Sequence, residues 1–242
     1  MTRMAAILAA LVLAAGEAAA AESVDLELVL LADASRSIDD GEILVQRQGY
    51  AAAITHPEVL GAIEQGFDQR IAVTYVEWGD ARSQDVVVPW TIIDGKESAA
   101  AFAQTLMERP RRASGLNAIG SAFTVAQALI EENAYEGHRK VIDLSADSVG
   151  SWGGVPLAEA RQNALMSDIV INGLAVLCRS CSGRPNSYDL EAAFAEQIIG
   201  GPGSFVVTAE RDDQFAVAVR RKLLLEIAGT TPNGEVVAER AP

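Results

Sequence analysis

The chain has 242 residues, half of them apolar and 21% charged. That composition excludes a disordered protein, and the length is enough to bury a full core, with one domain as the default. Thirty-three acidic residues against 19 basic ones give a net charge of −14. A phosphate-backbone binder needs a basic face, so nucleic acid is disfavoured as a partner and a metal ion or a cationic patch is the better complement. Two cysteines are too few for a disulfide-dense scaffold, and two histidines limit imidazole chemistry.

Residues 1–21 have the pattern of a cleaved signal peptide. Arg3 supplies the positive start, an apolar run extends from Met4 to Ala15, and Ala19 and Ala21 fit a small-residue cleavage site. The run is too short to span a membrane, which takes about 20 apolar residues. The mature chain is therefore expected to start near Glu22, to have no transmembrane segment, and to be exported to the periplasm or secreted.

Asp25 to Ala32 predicts a strand buried on both faces. Asp39 followed by Glu42 is a capping-box start for a helix with Leu44, Ala51 and Ile54 on one side, ending at His56-Pro57. Arg70–Trp78 and Asp85–Trp90 predict a hairpin whose second strand, with Pro89, lies at an edge. Helices follow over 98–108 and 120–132, then a strand at Lys140–Ser145 and a helix opened by Pro156. Asp168–Leu177 predicts a buried strand, Leu190–Ile199 a helix, and Ser204–Thr208 a short strand. Asp213–Ala228 closes as a helix with Phe215, Val219 and Leu223 on one face. This order predicts an α/β fold: a doubly wound, mostly parallel open sheet with helices on both faces and one antiparallel edge strand. Residues 22–228 form the expected domain, and 229–242 a tail with little core content.

The first strand runs into Asp33-Ala34-Ser35-Arg36-Ser37, a D-x-S-x-S just before a helix, and the Lys140 strand runs into Asp147. Carboxylates and hydroxyls are hard oxygen ligands that suit magnesium, manganese or calcium. Ligands of such sheets sit beyond the carboxyl ends of the strands. If the two strands are neighbours, Asp33 and Asp147 meet there. An isolated D-x-S-x-S is also an ordinary helix-capping turn.

These motifs resemble the von Willebrand factor A (VWA) domain. In that family a metal-ion-dependent adhesion site joins D-x-S-x-S to a Thr from a later loop and an Asp after the fourth strand. The resemblance assigns Asp33, Ser35, Ser37 and Asp147 as metal ligands. It places Asn117, in Gly115–Gly120, where the family has Thr, and Ser148 where the family has Gly. The amide oxygen of Asn117 is itself a ligand type for a hard cation. Leu31–Ile38, Arg139–Asp147, Ile171–Ala175, Ile199–Phe205 and Arg220–Ile227 together resemble one bacterial branch, the exported family labelled domain of unknown function 1194. The resemblance implies a divalent cation, magnesium first, and a protein partner offering a carboxylate.

Cys178 and Cys181 are expected to form a small-loop disulfide outside the cytoplasm, since Gly183 and Pro185 give loop chemistry rather than the helix start of a redox pair. Gly200–Gly203 lacks the Lys-Ser/Thr of a phosphate loop and is expected to be a turn. His56 and His138 are expected to be surface or capping residues, Arg109–Arg112 a solvated loop, and Trp78, Trp90 and Trp152 core or rim packing, with Trp152, just after Asp147, the candidate among them for an exposed contact. No nucleophile elbow is present, so the expectation is a binding module and not an enzyme. A scaffold with a degenerate metal site and a metal-dependent hydrolase are the alternatives.

Overall fold

The computed structural model describes residues 21–177, 189–209 and 212–229. The expected signal peptide (except Ala21), the Cys178–Cys181 pair and the tail beyond Gly229 lie outside the described residues.

After a short strand, β1 (Glu22–Val24), the apolar run becomes β2 (Leu26–Asp33), with all eight residues buried. Asp39 then caps α1 (Asp40–Ile54) through the reciprocal box with Glu42 that the sequence predicts. Pro57 does more than stop that helix. It opens a second one, α2 (Pro57–Glu64), with His56 as its N-cap. The hairpin is β3 (Ile71–Trp78) and β4 (Gln84–Ile93). Next come α3 (Lys96–Glu108), α4 (Ile119–Glu131), a short β5 (Tyr135–Gly137) and β6 (Lys140–Ala146). The chain finishes with α5 (Leu157–Met166), β7 (Ile169–Val176), α6 (Leu190–Gln197), β8 (Val206–Ala209) and α7 (Asp212–Ala228).

The main sheet has the order β4-β3-β2-β6-β7-β8, parallel throughout except for β4, and β1 and β5 form a small parallel pair beside it. This is the doubly wound sheet with one antiparallel edge. Tyr50, Val59, Phe102, Phe215 and Leu223 from α1, α2, α3 and α7 pack on one face, and Phe123, Ala160 and Phe194 from α4, α5 and α6 pack on the other. Each of the Val, Leu and Phe side chains among them contributes about 1.5–3 kcal/mol when fully buried.

Two differences from expectation have a plain cause. Leu44 is exposed, because α1 turns Ile43, Arg47 and Tyr50 inward, one residue out of step with Leu44 and Ala51, while Ile54 is buried as predicted. On α7 the inward stripe through Val219 and Leu223 also carries Lys222 and Glu226, both buried. The Lys222 Nζ lies 2.5 Å from Asp143 on β6 and 2.5 Å from Glu226, so the charges are buried as a group.

What positions the site is strand polarity. β2 pairs with β6 on one side and β3 on the other, with Ala32 opposite Ser145 and Asp33 opposite Trp78. Asp33 and Asp147 therefore leave adjacent strands at the same edge.

Candidate metal centre

The chain leaves β2 through a tight turn closed by Asp33 itself. Its Oδ1 accepts a hydrogen bond from the Ser35 N–H at 2.8 Å, a turn type that Asp favours. The Ser35 and Ser37 hydroxyls are 3.1 Å apart, so alternate residues put both on the same side of the turn. Gln46 on α1 donates to the Asp33 carbonyl at 3.0 Å and fixes the strand end. Asp33 and Ser35 are buried, whereas Ser37 is exposed.

A second loop, 109–118, is tied to this turn. The Arg36 N–H donates to the Gly115 carbonyl at 2.7 Å. Arg111 donates from Nη2 to the carbonyls of Ala34 (2.8 Å) and Ile38 (2.9 Å), donates from Nε to Ala113, and pairs with Asp40. The expectation of a solvated Arg109–Arg112 loop therefore fails at Arg111. A guanidinium fork supplies donors to several carbonyls of the D-x-S-x-S turn at once. Gly79, just after β3, allows the close approach: a Cβ there would lie 2.1 Å from the Ser114 carbonyl oxygen.

The third piece is Asp147, buried one residue past β6. Burial is the main cause that lifts the Asp33 carboxyl from 3.8 to about 7. The Ser35 N–H and hydroxyl pull it back down, the Asp147 carboxylate pushes it up, and the Asp147 N–H has a small lowering effect. The Asp33 Oδ2 is buried with no hydrogen bond. A buried anionic oxygen without a donor is costly, and a cation is the group that satisfies it. The residues brought together here, Asp33, Ser35, Ser37 and Asp147, offer oxygen only, a donor set that fits a hard divalent cation.

Asn117 reaches the same edge, but its side-chain amide is engaged. Its Nδ2 donates to the Ser148 Oγ at 2.7 Å, which leaves Oδ1 as its acceptor. Its carbonyl accepts from the Trp152 N–H at 2.5 Å, so loop 147–156 and loop 109–118 are joined at this residue. Trp152 is 66% exposed, so of the two readings it is the exposed contact and not core packing, and Leu116 is 55% exposed. Sequence reasoning missed Gln46 and Arg111, which act through backbone carbonyls and leave no motif, and it treated Ser148 only as a departure from the family's Gly.

The histidines stand elsewhere. His56 caps α2, and His138 pairs with Asp68 at 2.9 Å at the opposite, amino-terminal edge of the sheet. There Asp25, Asp68 and His138 hold ligand-type atoms within 4.8 Å of one another. Gly201 and Gly203 take positive φ in the turn over 201–203, while Gly200 bridges Ile171 on β7.

Residues 23–231 match the family described as protein of unknown function DUF1194. The chain belongs to this family. No curated protein is similar to it in sequence. Among solved structures, the pilus adhesin SpaC from Lactobacillus rhamnosus GG is 12% identical with a TM-score of 0.60, over 86% of this chain and 31% of that one. A von Willebrand factor type A protein from Catenulispora acidiphila is 15% identical with a TM-score of 0.57, over 85% of this chain and 43% of that one. Proximal thread matrix protein 1 from the mussel byssus, with a zinc-occupied MIDAS motif, is 14% identical with a TM-score of 0.60, over 86% and 49%. The DUF1194 chain thus spans less than half the length of each of these three. At such identities the likeness shows the fold alone, and that fold is the VWA domain. Among the described residues no helix is long and apolar enough to cross a membrane.

Proposed function

We propose that this DUF1194 protein is an exported, non-catalytic binding module whose cation site engages a carboxylate of a partner protein. Asp33, Ser35, Ser37 and Asp147 would hold the cation, with Asn117 Oδ1 as a further oxygen at the rim and magnesium as the first choice of ion, manganese or calcium as substitutes. When bound, the ion supplies a positive centre able to accept an anionic oxygen from outside. Asp33 and Ser35 hold their oxygens in place through the turn, Arg111 and Gln46 keep the turn on the strand end, and Leu116 and Trp152 offer apolar surface beside it.

The observation that carries the reading is the buried, donor-less Asp33 Oδ2 beside Asp147, at the end of two adjacent parallel strands. A binding role is favoured over hydrolysis because both histidines are engaged away from this edge, and Asp33, the carboxyl there that burial lifts to about 7, is itself one of the oxygens that would hold the cation. The adhesin and byssal neighbours agree with a module that works outside the cell.

The test is calorimetric titration of magnesium, manganese and calcium into chelator-stripped mature protein beside Asp33→Ala. Saturable binding that Asp33→Ala abolishes is expected. Equal heats from both proteins remove the basis of the proposal. Metal-dependent turnover of a phosphoester panel would instead favour the hydrolase alternative.

A further inference from the structure

The amino-terminal edge of the sheet, away from the site above, carries a second set of metal-type donors. Asp25 immediately precedes β2, Asp68 lies shortly before β3, and His138 shortly before β6. These are the three neighbouring strands β3-β2-β6, so the topology delivers two carboxylates and an imidazole from three separate stretches of chain to one spot.

The carboxylates are oriented by backbone N–H groups of the 66–70 loop and by the Ser23 hydroxyl. Asp25 Oδ1 accepts from the N–H groups of Phe67 (2.8 Å) and Asp68 (3.0 Å), and its Oδ2 has only a long approach from Arg70 N at 3.4 Å. Asp68 Oδ2 accepts from the Ser23 hydroxyl at 2.7 Å and faces His138 Nε2 at 2.9 Å. Gly66 faces the Asp25 Oδ2, where a Cβ would come within 2.2 Å, so the 66–70 loop is shaped around this carboxylate. The His138 ring is held from the side by Phe67, edge to face at 5.8 Å, although Phe67 is itself 87% exposed. Outer hydrogen bonds that fix the ligand orientation are the usual support of a metal site. His138 is exposed and Asp25 and Asp68 are half-buried, so the site is open to solvent.

We propose that Asp25, Asp68 and His138 form a second divalent-metal site, selective for zinc-like ions. An imidazole with two carboxylates suits zinc, nickel or copper, and it disfavours magnesium and calcium, which take oxygen donors. Three protein ligands leave room for water in the remaining position. The two ends of the sheet then differ in kind: hard oxygen donors at the carboxyl edge and a mixed nitrogen–oxygen set at the amino edge. This inference does not depend on the proposed adhesion-type site.

Zinc is the probe, because an imidazole with two carboxylates suits it, and the Asp33→Ala background is used because zinc also fills a MIDAS motif in the byssal protein. Bound zinc is counted by equilibrium dialysis for the wild type, Asp33→Ala, His138→Ala and Asp33→Ala/His138→Ala, with folding checked by circular dichroism. Asp33→Ala is expected to keep one zinc equivalent that the double variant loses, and Asp68→Asn in the Asp33→Ala background is expected to lose it too. In parallel, the His138 ring signals of Asp33→Ala should shift on adding zinc and not on adding magnesium. Equal zinc in Asp33→Ala with and without His138, or none in Asp33→Ala, overturns the proposal and leaves His138–Asp68 as a surface ion pair. Neither result depends on whether the carboxyl-edge site binds a cation.

Discussion

Asp33→Asn separates a cation site from a plain capping turn. The Asp33 carboxyl titrates near 7 instead of 3.8, because of burial first and the nearby Asp147 second. Between those two pH values the folded chain holds a proton that the unfolded chain has released. Stability therefore falls as pH rises through that window and levels off above it. At about 1.4 kcal/mol per pH unit, the ionised and cation-free carboxylate costs on the order of 4 kcal/mol at pH 8. Asparagine keeps an Oδ1 to accept from the Ser35 N–H and carries no charge. In chelator, Asp33→Asn should be more stable than the wild type by about 1–4 kcal/mol at pH 8, the lower end allowing for a buried amide N–H without an acceptor. At pH 4.5 that advantage should be smaller by about 3 kcal/mol, so the variant is then level with the wild type or less stable than it. Magnesium at a hundred times its Kd should move the gap by about 2.7 kcal/mol toward the wild type, since it stabilises the wild type and not a variant that cannot bind it. Urea unfolding at both pH values, with and without magnesium, reads all four cases. A variant less stable than the wild type in chelator at pH 8, or a gap independent of pH, would refute this reasoning.

Lys222→Met leaves Asp143 and Glu226 as two buried carboxylates without their cation, and such a break costs about 3–5 kcal/mol. Burial and Asp143 already hold Glu226 up at about 7, so the variant's deficit should be largest at pH 8 and shrink toward pH 5, as measured by urea unfolding. Arg111→Ala strips donors from the carbonyls of Ala34 and Ile38, and about 1–3 kcal/mol of stability should go with them. Calorimetry should also show magnesium binding weakened at least tenfold, and an unchanged affinity would mean that the turn holds its shape without Arg111. Trp152→Ala removes a side chain that is mostly in solvent, so stability should stay within about 0.5 kcal/mol, while chelator-sensitive capture of a partner should drop. Loss of stability would instead make Trp152 part of the fold.

The sheet was legible because its signals are local and strong. Leu26–Asp33 is an unbroken buried run, and Pro89 and the short polar link mark the antiparallel edge. Asp33, Ser35 and Asp147 were legible for the same reason, since each sits at a strand end that the pattern defines. Leu44 was misplaced because two inward stripes one residue apart fit the same apolar spacing, and only the packing of Tyr50 against Tyr75 and Phe215 picks one. The short pair β1–β5 has no alternation to read, because each strand is only three residues long. Arg111, Gln46 and Lys222 escaped because their roles depend on what folding brings near them. A guanidinium that meets carbonyls of Ala34 and Ile38, more than seventy residues away, leaves no trace in spacing.

Asn117 and Ser148 bear on whether the site has decayed. Each departs from the VWA pattern, Asn in place of Thr and Ser in place of Gly, and taken singly each suggests a worn motif. They touch: the Asn117 amide donates to the Ser148 hydroxyl at 2.7 Å across the two loops that frame Asp147. Random loss has no reason to place two departures in contact, whereas a rebuilt rim does. The longer Asn side chain reaches a hydroxyl that glycine would not provide, and the same loop junction is closed by the Trp152 N–H on the Asn117 carbonyl. The two positions should then be coupled. Asn117→Thr alone and Ser148→Gly alone should each weaken magnesium binding, and the double variant, which restores the family pattern, should bind better than the sum of the single losses predicts. Calorimetry across the four proteins measures that coupling. Strict additivity would mean that the hydrogen bond does no more than hold the loops together, and would return weight to a degenerate site.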